Sequence, residues 1–388
     1  MRMRSGLLLV GLAIGCGAED EGQAGDDYTP ETLTAYRSAL PQRERLSAGV
    51  PELDEPTALT ARGDAVLGAY GVGFARAVNR PVRALVATLR AIADLPPTHF
   101  DAAARTFTWG PWEAEDGGGQ VALLVKEDAP GADFQYSYAL IRSIKGSPDS
   151  ATPVISGGAT PDADDPERGV GVALWDIEAE RQFRLEQGDG DVVDSGRGRF
   201  VTLFGHHEQE EGDAYFNLAV FRDFVPAPDS SGNASETSAE PIDVDYFYGR
   251  VDGDAARIDF LDSDVLANIC ADSVASCFGA TPPPSAIERF EYNAFFVNGG
   301  VGRAEARLSE GDLNETAHFV ECWSAGLART SFQIEESGAM VETLENGSCT
   351  APADQSAPDL GVPTLDDVDR TLLGLMSCAA ENGQIGCD

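Results

Sequence analysis

The side chains best suited to chemistry form one short run, Phe204-Gly205-His206-His207-Glu208. Imidazole and carboxylate groups ligate zinc and related metals, and imidazole carries protons near neutral pH. Spacing limits what this run can do. It ends a segment with strand periodicity, and in a strand His206 and Glu208 point to one face while His207 points to the other. Two donors on one face need a third from elsewhere, and His318 is the available imidazole. A metal site would therefore draw on His206, Glu208 and His318. The preferred reading is plainer: a polar strand end entering the acidic loop 209–213, with no metal bound. The helical His-Glu-x-x-His arrangement, which puts two imidazoles on one face, does not occur.

Other chemistry is sparse. The acidic loops Asp162-Ala163-Asp164-Asp165, Asp189-Gly190-Asp191 and Asp252-Gly253-Asp254 offer clustered oxygens. Calcium favours such ligands, but none of the loops has the alternating ligands and closing Glu of an EF-hand, so no cofactor is expected and Ca²⁺ stays a minor alternative. No Gly-x-Ser-x-Gly elbow or Gly-Lys-Ser/Thr phosphate loop is present. With 4 His in the chain, a nucleophile has few bases to call on. Paired carboxylates for glycoside hydrolysis cannot be ranked among 65 acids. No catalytic residue is assigned, and the chain reads as a non-enzyme more readily than as an enzyme. Trp109, Trp112, Trp175 and Trp323 sit at strand spacing and read as core rather than as a sugar or lipid pocket.

Charge narrows the partners. Lys+Arg 27 against Asp+Glu 65 leaves a net charge of -38 over 388 residues. Nucleic acid is excluded, because its binding needs cationic side chains that displace counterions. The same excess argues against direct docking of the whole body on anionic headgroups.

The amino terminus reads MRMRSGLLLVGLAIGC. Arg2 and Arg4 precede an apolar run, Leu7 to Ile14, too short for a membrane-spanning helix of about 20 residues. This is the plan of an export signal. Its end, Ala13-Ile14-Gly15-Cys16, resembles the lipobox of bacterial lipoprotein signal peptides. The resemblance implies removal of residues 1–15 and acylation of Cys16 with fatty chains such as palmitate. Gly17 lacks the Asp that commonly signals inner-membrane retention in that family, so the outer membrane is implied, on its periplasmic or surface side. Several acyl chains together give stable anchoring where a single one does not.

Six cysteines follow: Cys270, Cys277, Cys322, Cys349, Cys378 and Cys387. An even number in an exported chain suggests disulfides, and 15 connectivities are open to six cysteines. The local pairing Cys270–Cys277, Cys322–Cys349 and Cys378–Cys387 is preferred because each pair closes a short loop.

Elements must position these groups. Residues 16–60 read as a lipidated tether and irregular segment. Residues 61–98 are helical, with Val66, Leu67, Tyr70, Phe74 and Val78 on one stripe. A second helix over 81–94 follows Pro81, or one long helix passes through it. Residues 99–349 switch to period two, in about ten to twelve segments separated by Gly, Asp and Pro. Strands without crossover helices pair antiparallel. Residues 350–388 form a linker and a short helix over 365–379, capped by Thr364 and pinned at Cys378. The expected fold is α+β: N-terminal helices packed on a large antiparallel β-meander, as half-barrel, barrel or sandwich, with a short C-terminal helix.

These readings support a membrane-anchored acidic envelope lipoprotein with a non-enzymatic binding or structural role. One alternative is a carrier of an apolar ligand, with Tyr136, Tyr138, Tyr246 and Tyr248 facing a half-barrel cavity. That alternative rests on architectural analogy to the half-barrel carriers of lipoproteins. The other is a hydrolase with an unrecognised carboxylate or metal site. A protein or small-molecule partner is not identified.

Overall fold

Period-two patterning becomes a continuous sheet in the computed structural model. The structure describes residues 28–42, 46, 65–114, 119–188, 196–209, 212–225, 241–253, 257–267, 287–297, 301–311, 316–336 and 339–345, together with Met376, Ala380 and Glu381. The first strands are β1 (His99–Asp101), β2 (Thr106–Glu113), β3 (Gln120–Glu127), β4 (Tyr136–Ile144) and β5 (Ser147–Pro161). Next come β6 (Gly169–Asp176), β7 (Arg197–Gln209), β8 (Gly212–Val225), β9 (Ile242–Gly253) and β10 (Arg257–Ala267). The last are β11 (Glu288–Val297), β12 (Val301–Ser309), β13 (Ala317–Trp323), β14 (Arg329–Glu336) and β15 (Ala339–Glu345).

Each strand pairs antiparallel with the next, so the sheet order is the chain order. Among the described residues β1 pairs only with β2 and β15 only with β14, so the sheet is open and single. Closure into a barrel and division into a sandwich are both corrected by this connectivity. β8 and β9 on either side of the low-complexity stretch 226–241 pair directly, so both belong to the same sheet.

Among the described residues three α-helices have both ends defined: α1 (Pro30–Ser38), α2 (Val66–Ala93) and α3 (Ile177–Glu186). α1 lies inside the stretch expected to be tether, a correction to that reading. Thr29 caps it by accepting from Thr32 N at 3.2 Å, and Pro30 occupies the first turn. Its Tyr36 is buried edge-on against Phe107 and Tyr136, at 4.8 and 5.1 Å between ring centroids.

α2 is one continuous helix through Pro81 rather than two. The missing proline N–H leaves the Ala77 carbonyl without its helical donor. Ala77 is exposed, so water can serve that carbonyl. A 28-residue helix is about 42 Å long, and neighbouring strands lie about 4.8 Å apart. α2 accordingly crosses most of the sheet, touching β12 and β13 near its start and β3 near its end. We call the face under α1 and α2 the inner face.

Glycines permit the close approach. A Cβ on Gly68 would fall 2.9 Å from Leu327 Cδ2 and 3.1 Å from the Trp323 ring, and one on Gly71 would overlap the Tyr292 hydroxyl. That hydroxyl donates to Leu67 O at 2.8 Å. The amino end of α2 has no capping side chain of its own. Glu321 of β13, fully buried, supplies one instead. Its carboxylate accepts from Val66 N at 3.1 Å, from Leu67 N at 2.6 Å and from Gly68 N at 3.4 Å. Arg329 Nε donates to it at 2.6 Å. A carboxylate at a helix amino terminus satisfies orphan N–H groups and meets the positive end of the helix dipole.

The outer face carries a second, smaller core. Val172, Leu174, Val201, Leu218, Val220, Phe247 and Phe260 pack there with Met376 and Ala380. Met376 falls within the helix expected over 365–379, and Ala380 lies one residue beyond it. Both are helical and buried; the rest of that expected helix lies outside the described residues. Arg199 donates to Glu381 O at 2.5 Å and holds the segment in place.

Removing the Glu321 carboxylate leaves Arg329 and three helix N–H groups unpaired. Glu321→Ala is expected to lower unfolding stability by about 3–5 kcal/mol and to speed amide exchange over the first turn of α2. Chemical denaturation and hydrogen exchange would measure both, and a loss under about 1 kcal/mol would refute the clamp.

Candidate functional site

Strand alternation sorts the histidine run and its partners. Register places His206 of β7 beside Tyr215 of β8, Arg250 of β9 and Asp259 of β10, in one cross-strand row. The row continues through Phe296, Gly302 and Trp323 on the inner face, beyond the amino end of α2. From His206 to Asp259 it forms a polar border along one end of the sheet, and from Phe296 to Trp323 it is core.

The border is a stack. The His206 ring lies 4.0 Å from the Tyr215 ring at 12°, and the Arg250 guanidinium sits 3.8 Å over the other part of the pair, the Tyr215 ring. Such cation–π contact favours a desolvated arginine. His206 Nδ1 lies 3.0 Å from Glu167 O, and its Nε2 lies 3.5 Å from Asp213 Oδ1. Arg168 gathers the nearby acids: Asp165 at 3.4 Å, Glu208 at 2.5 Å and Asp213 at 3.1 Å. Burial holds His207 below the usual imidazole range, His206 adds to that, and Asp213 opposes it.

Asp259 is the most buried acid of the row. It accepts from Tyr248 Oη at 2.5 Å and from two nitrogens of Arg257, at 2.9 and 2.8 Å. Desolvation raises its carboxyl above the ordinary 3.8, and the hydrogen bonds from Arg257 and Tyr248 pull the other way.

This geometry does not assemble the three candidate metal donors. His206 and Glu208 share the inner face, but Glu208 is engaged by Arg168. His318 lies five residues from Trp323 on β13, which puts it on the outer face. There it lines an open groove of about 560 Å³ with Arg289, Glu291, Arg307, Thr316 and Glu335. Among the described residues no cluster of three His, Cys, Asp or Glu side chains is arranged to hold a metal ion. The loop at Asp162 is organised by its own backbone, with Asp162 Oδ1 accepting from Asp164 N at 2.8 Å. Residues 189–191 and 254 lie outside the described residues.

All four candidate ligand tyrosines are buried on the inner face. Tyr136 packs on Tyr36 of α1. Tyr246 packs on Phe74 of α2, with 5.7 Å between centroids. Tyr138 donates to Val172 O at 2.9 Å, and Tyr248 donates to Asp259. Two helices of the chain thus occupy the face where the carrier reading seats a ligand. Trp109 and Trp323 are fully buried, and Trp112 and Trp175 pack against the same core.

Cys322 is disulfide-bonded, and its partner lies outside the described residues. Cys16, Cys270, Cys277, Cys349, Cys378 and Cys387 also lie outside them, as do residues 1–15.

The sequence reading missed Glu321 and Asp259. Each has a local signal, a charged residue at an inward position of an alternating strand. Phe319-Val320-Glu321-Cys322-Trp323 places the acid between two aromatic core positions. No protein-family model, curated protein or solved structure matches the chain.

Because the folded carboxyl of Asp259 titrates above its unfolded value, the folded state binds more protons from pH 3.8 upward. Its contribution to stability is greatest below that pH and declines as pH rises through the raised value. The stability of the wild type relative to Asp259→Asn is expected to fall as pH rises above 3.8. Paired denaturation curves would show this, and a relative rise would contradict the assignment.

Proposed function

We propose that the protein is an exported, lipid-anchored envelope protein whose folded body has a non-enzymatic binding or structural role. The observation that carries this reading is the filled inner face. The aromatic rows that a carrier would turn toward a ligand are packed against α1 and α2, and α2 is held by Glu321 at its amino end. The polar border is likewise neutralised internally, with Arg168, Arg250 and Arg257 each paired to carboxylates. What remains for a partner is the exposed surface.

Two further features support the placement. A disulfide at Cys322 is the chemistry of an oxidising compartment. α1 docks on the sheet from Pro30, so the chain between Cys16 and the body is short. Fully extended, those residues reach on the order of 45 Å, at about 3.4 Å each. An acylated Cys16 would keep the sheet close to the membrane that holds it. No helix among the described residues is long and apolar enough to cross a membrane.

Cells expressing the full chain and fed an alkyne-bearing fatty acid should yield a labelled protein that begins at Cys16. Cys16→Ser should abolish the label. Recovery of an unlabelled product retaining Met1, with Cys322 as a free thiol, would overturn the placement.

A further inference from the structure

The net charge of -38 is not spread evenly over this molecule. α2 contains no acidic residue in 28 positions, and it carries Arg76, Arg80, Arg83 and Arg90. Helical spacing orders them. Arg76, Arg83 and Arg90 follow one another at intervals of seven, along one flank, and Arg80 lies near the middle of the face turned away from the sheet. Arg80 and Arg83 are exposed, whereas Arg90 is half-buried and donates to Leu40 O at 3.1 Å. Between the arginines that face is small: Gly73, Ala77, Ala84, Ala87 and Ala91 are all exposed. Large apolar side chains mark its two ends. Val66 is 45% exposed at the start, and Leu95, just past the last turn, is 47% exposed.

The apolar stripe of α2 is already buried against the sheet, so this face would not insert as an interfacial amphipathic helix does. With Arg80 and Arg83 exposed, no acid in the helix and only small residues between, it can lie flat and meet anionic headgroups electrostatically. Cations near an anionic bilayer each contribute about 1 kcal/mol of attraction, within a screening length of about 8 Å. That short range is why the local sign prevails. Acids on the far side of a sheet are screened from a surface that α2 touches directly. The whole-body argument against headgroup docking therefore does not apply to this face.

We infer that the outward face of α2 docks on anionic phospholipid headgroups of the membrane that carries the protein, with the inner face of the sheet turned toward the bilayer. This deepens the anchored reading and rests on it. The short tether limits how far the body can move from the surface, which raises the effective concentration of headgroups at α2. The anchor sets the distance and the arginines set the orientation.

The full chain carrying Ala84→Cys, labelled with an environment-sensitive fluorophore, would be reconstituted with vesicles of phosphatidylethanolamine alone or with added phosphatidylglycerol. Met340→Cys, exposed on the outer face, serves as the control site. The expected result is flotation with both vesicles, and shielding of the Ala84 label only where phosphatidylglycerol is present. Raised salt should reverse the shielding. Arg80→Glu with Arg83→Glu should lower the shielded population roughly tenfold or more without preventing flotation. Both positions are solvent-facing, so the variant should keep the wild-type melting curve.

Flotation with both vesicles but an unshielded Ala84 label would overturn docking and leave the anchor standing. Flotation confined to anionic vesicles, with shielding, would support docking and sink the anchor. No flotation with either vesicle would sink both. A label already shielded without vesicles would show that another segment of the chain covers the stripe, and would also overturn docking.

Discussion

A single buried carboxylate fixes where the long helix begins. Glu321 projects from β13 into the inner face, where solvent cannot reach it. An isolated charge there would be costly. Three N–H groups at the start of α2 and the Arg329 guanidinium surround it. The helix start would otherwise bury unpaired donors, so each side satisfies the other. Ala65 N donates to Leu327 O at 2.8 Å and aligns the chain just before that point. From there the helix has one course, across the strands, with Gly68 and Gly71 letting it settle against Trp323 and Tyr292.

That placement decides what the rest of the molecule can present. With α2 seated, the aromatic rows of β4 and β9 are core, and the polar border beyond its start is sealed by ion pairs and stacked rings. The outer face divides into two regions. Over β6 to β8 it is apolar and covered by Met376 and Ala380. Over β10 to β14 it is a charged lattice in which Asp264, Glu291, Arg307, His318 and Glu335 occupy one cross-strand row. Exposed ion pairs of this kind contribute little to stability. Their effect is to keep a broad sheet soluble and to discourage its stacking on another sheet.

Much of the architecture was legible because antiparallel strands with one buried face have period two. The alternating pairs Tyr136/Tyr138 and Tyr246/Tyr248 show it. β3 was harder, since Val121 to Val125 is apolar without alternation. β5 was harder still, with Pro153 and two adjacent glycines inside it. α3 was missed although Asp176 caps it, accepting from Ala179 N, and Glu178 and Glu180 follow in its first turn. Its ten residues are too few to establish a helical period amid strands. α1 was hidden by the acidic stretch before it, yet Thr29-Pro30-Glu31 is a legitimate start signal.

The sequence by itself determined the switch from helical to period-two patterning, the antiparallel pairing and the strong negative charge, because each follows from local periodicity or from counting. The expectation of export and acylation at Cys16 is likewise read residue by residue, from the lipobox resemblance of Ala13-Ile14-Gly15-Cys16. Tertiary structure alone decided that the sheet stays open, that α2 passes unbroken through Pro81, and that Glu321 meets its first turn from 254 residues away. Pairing at that separation depends on how a whole sheet brings strand and helix together. The same packing separated His318 from His206 and left Arg80 and Arg83 of α2 exposed on its outward side.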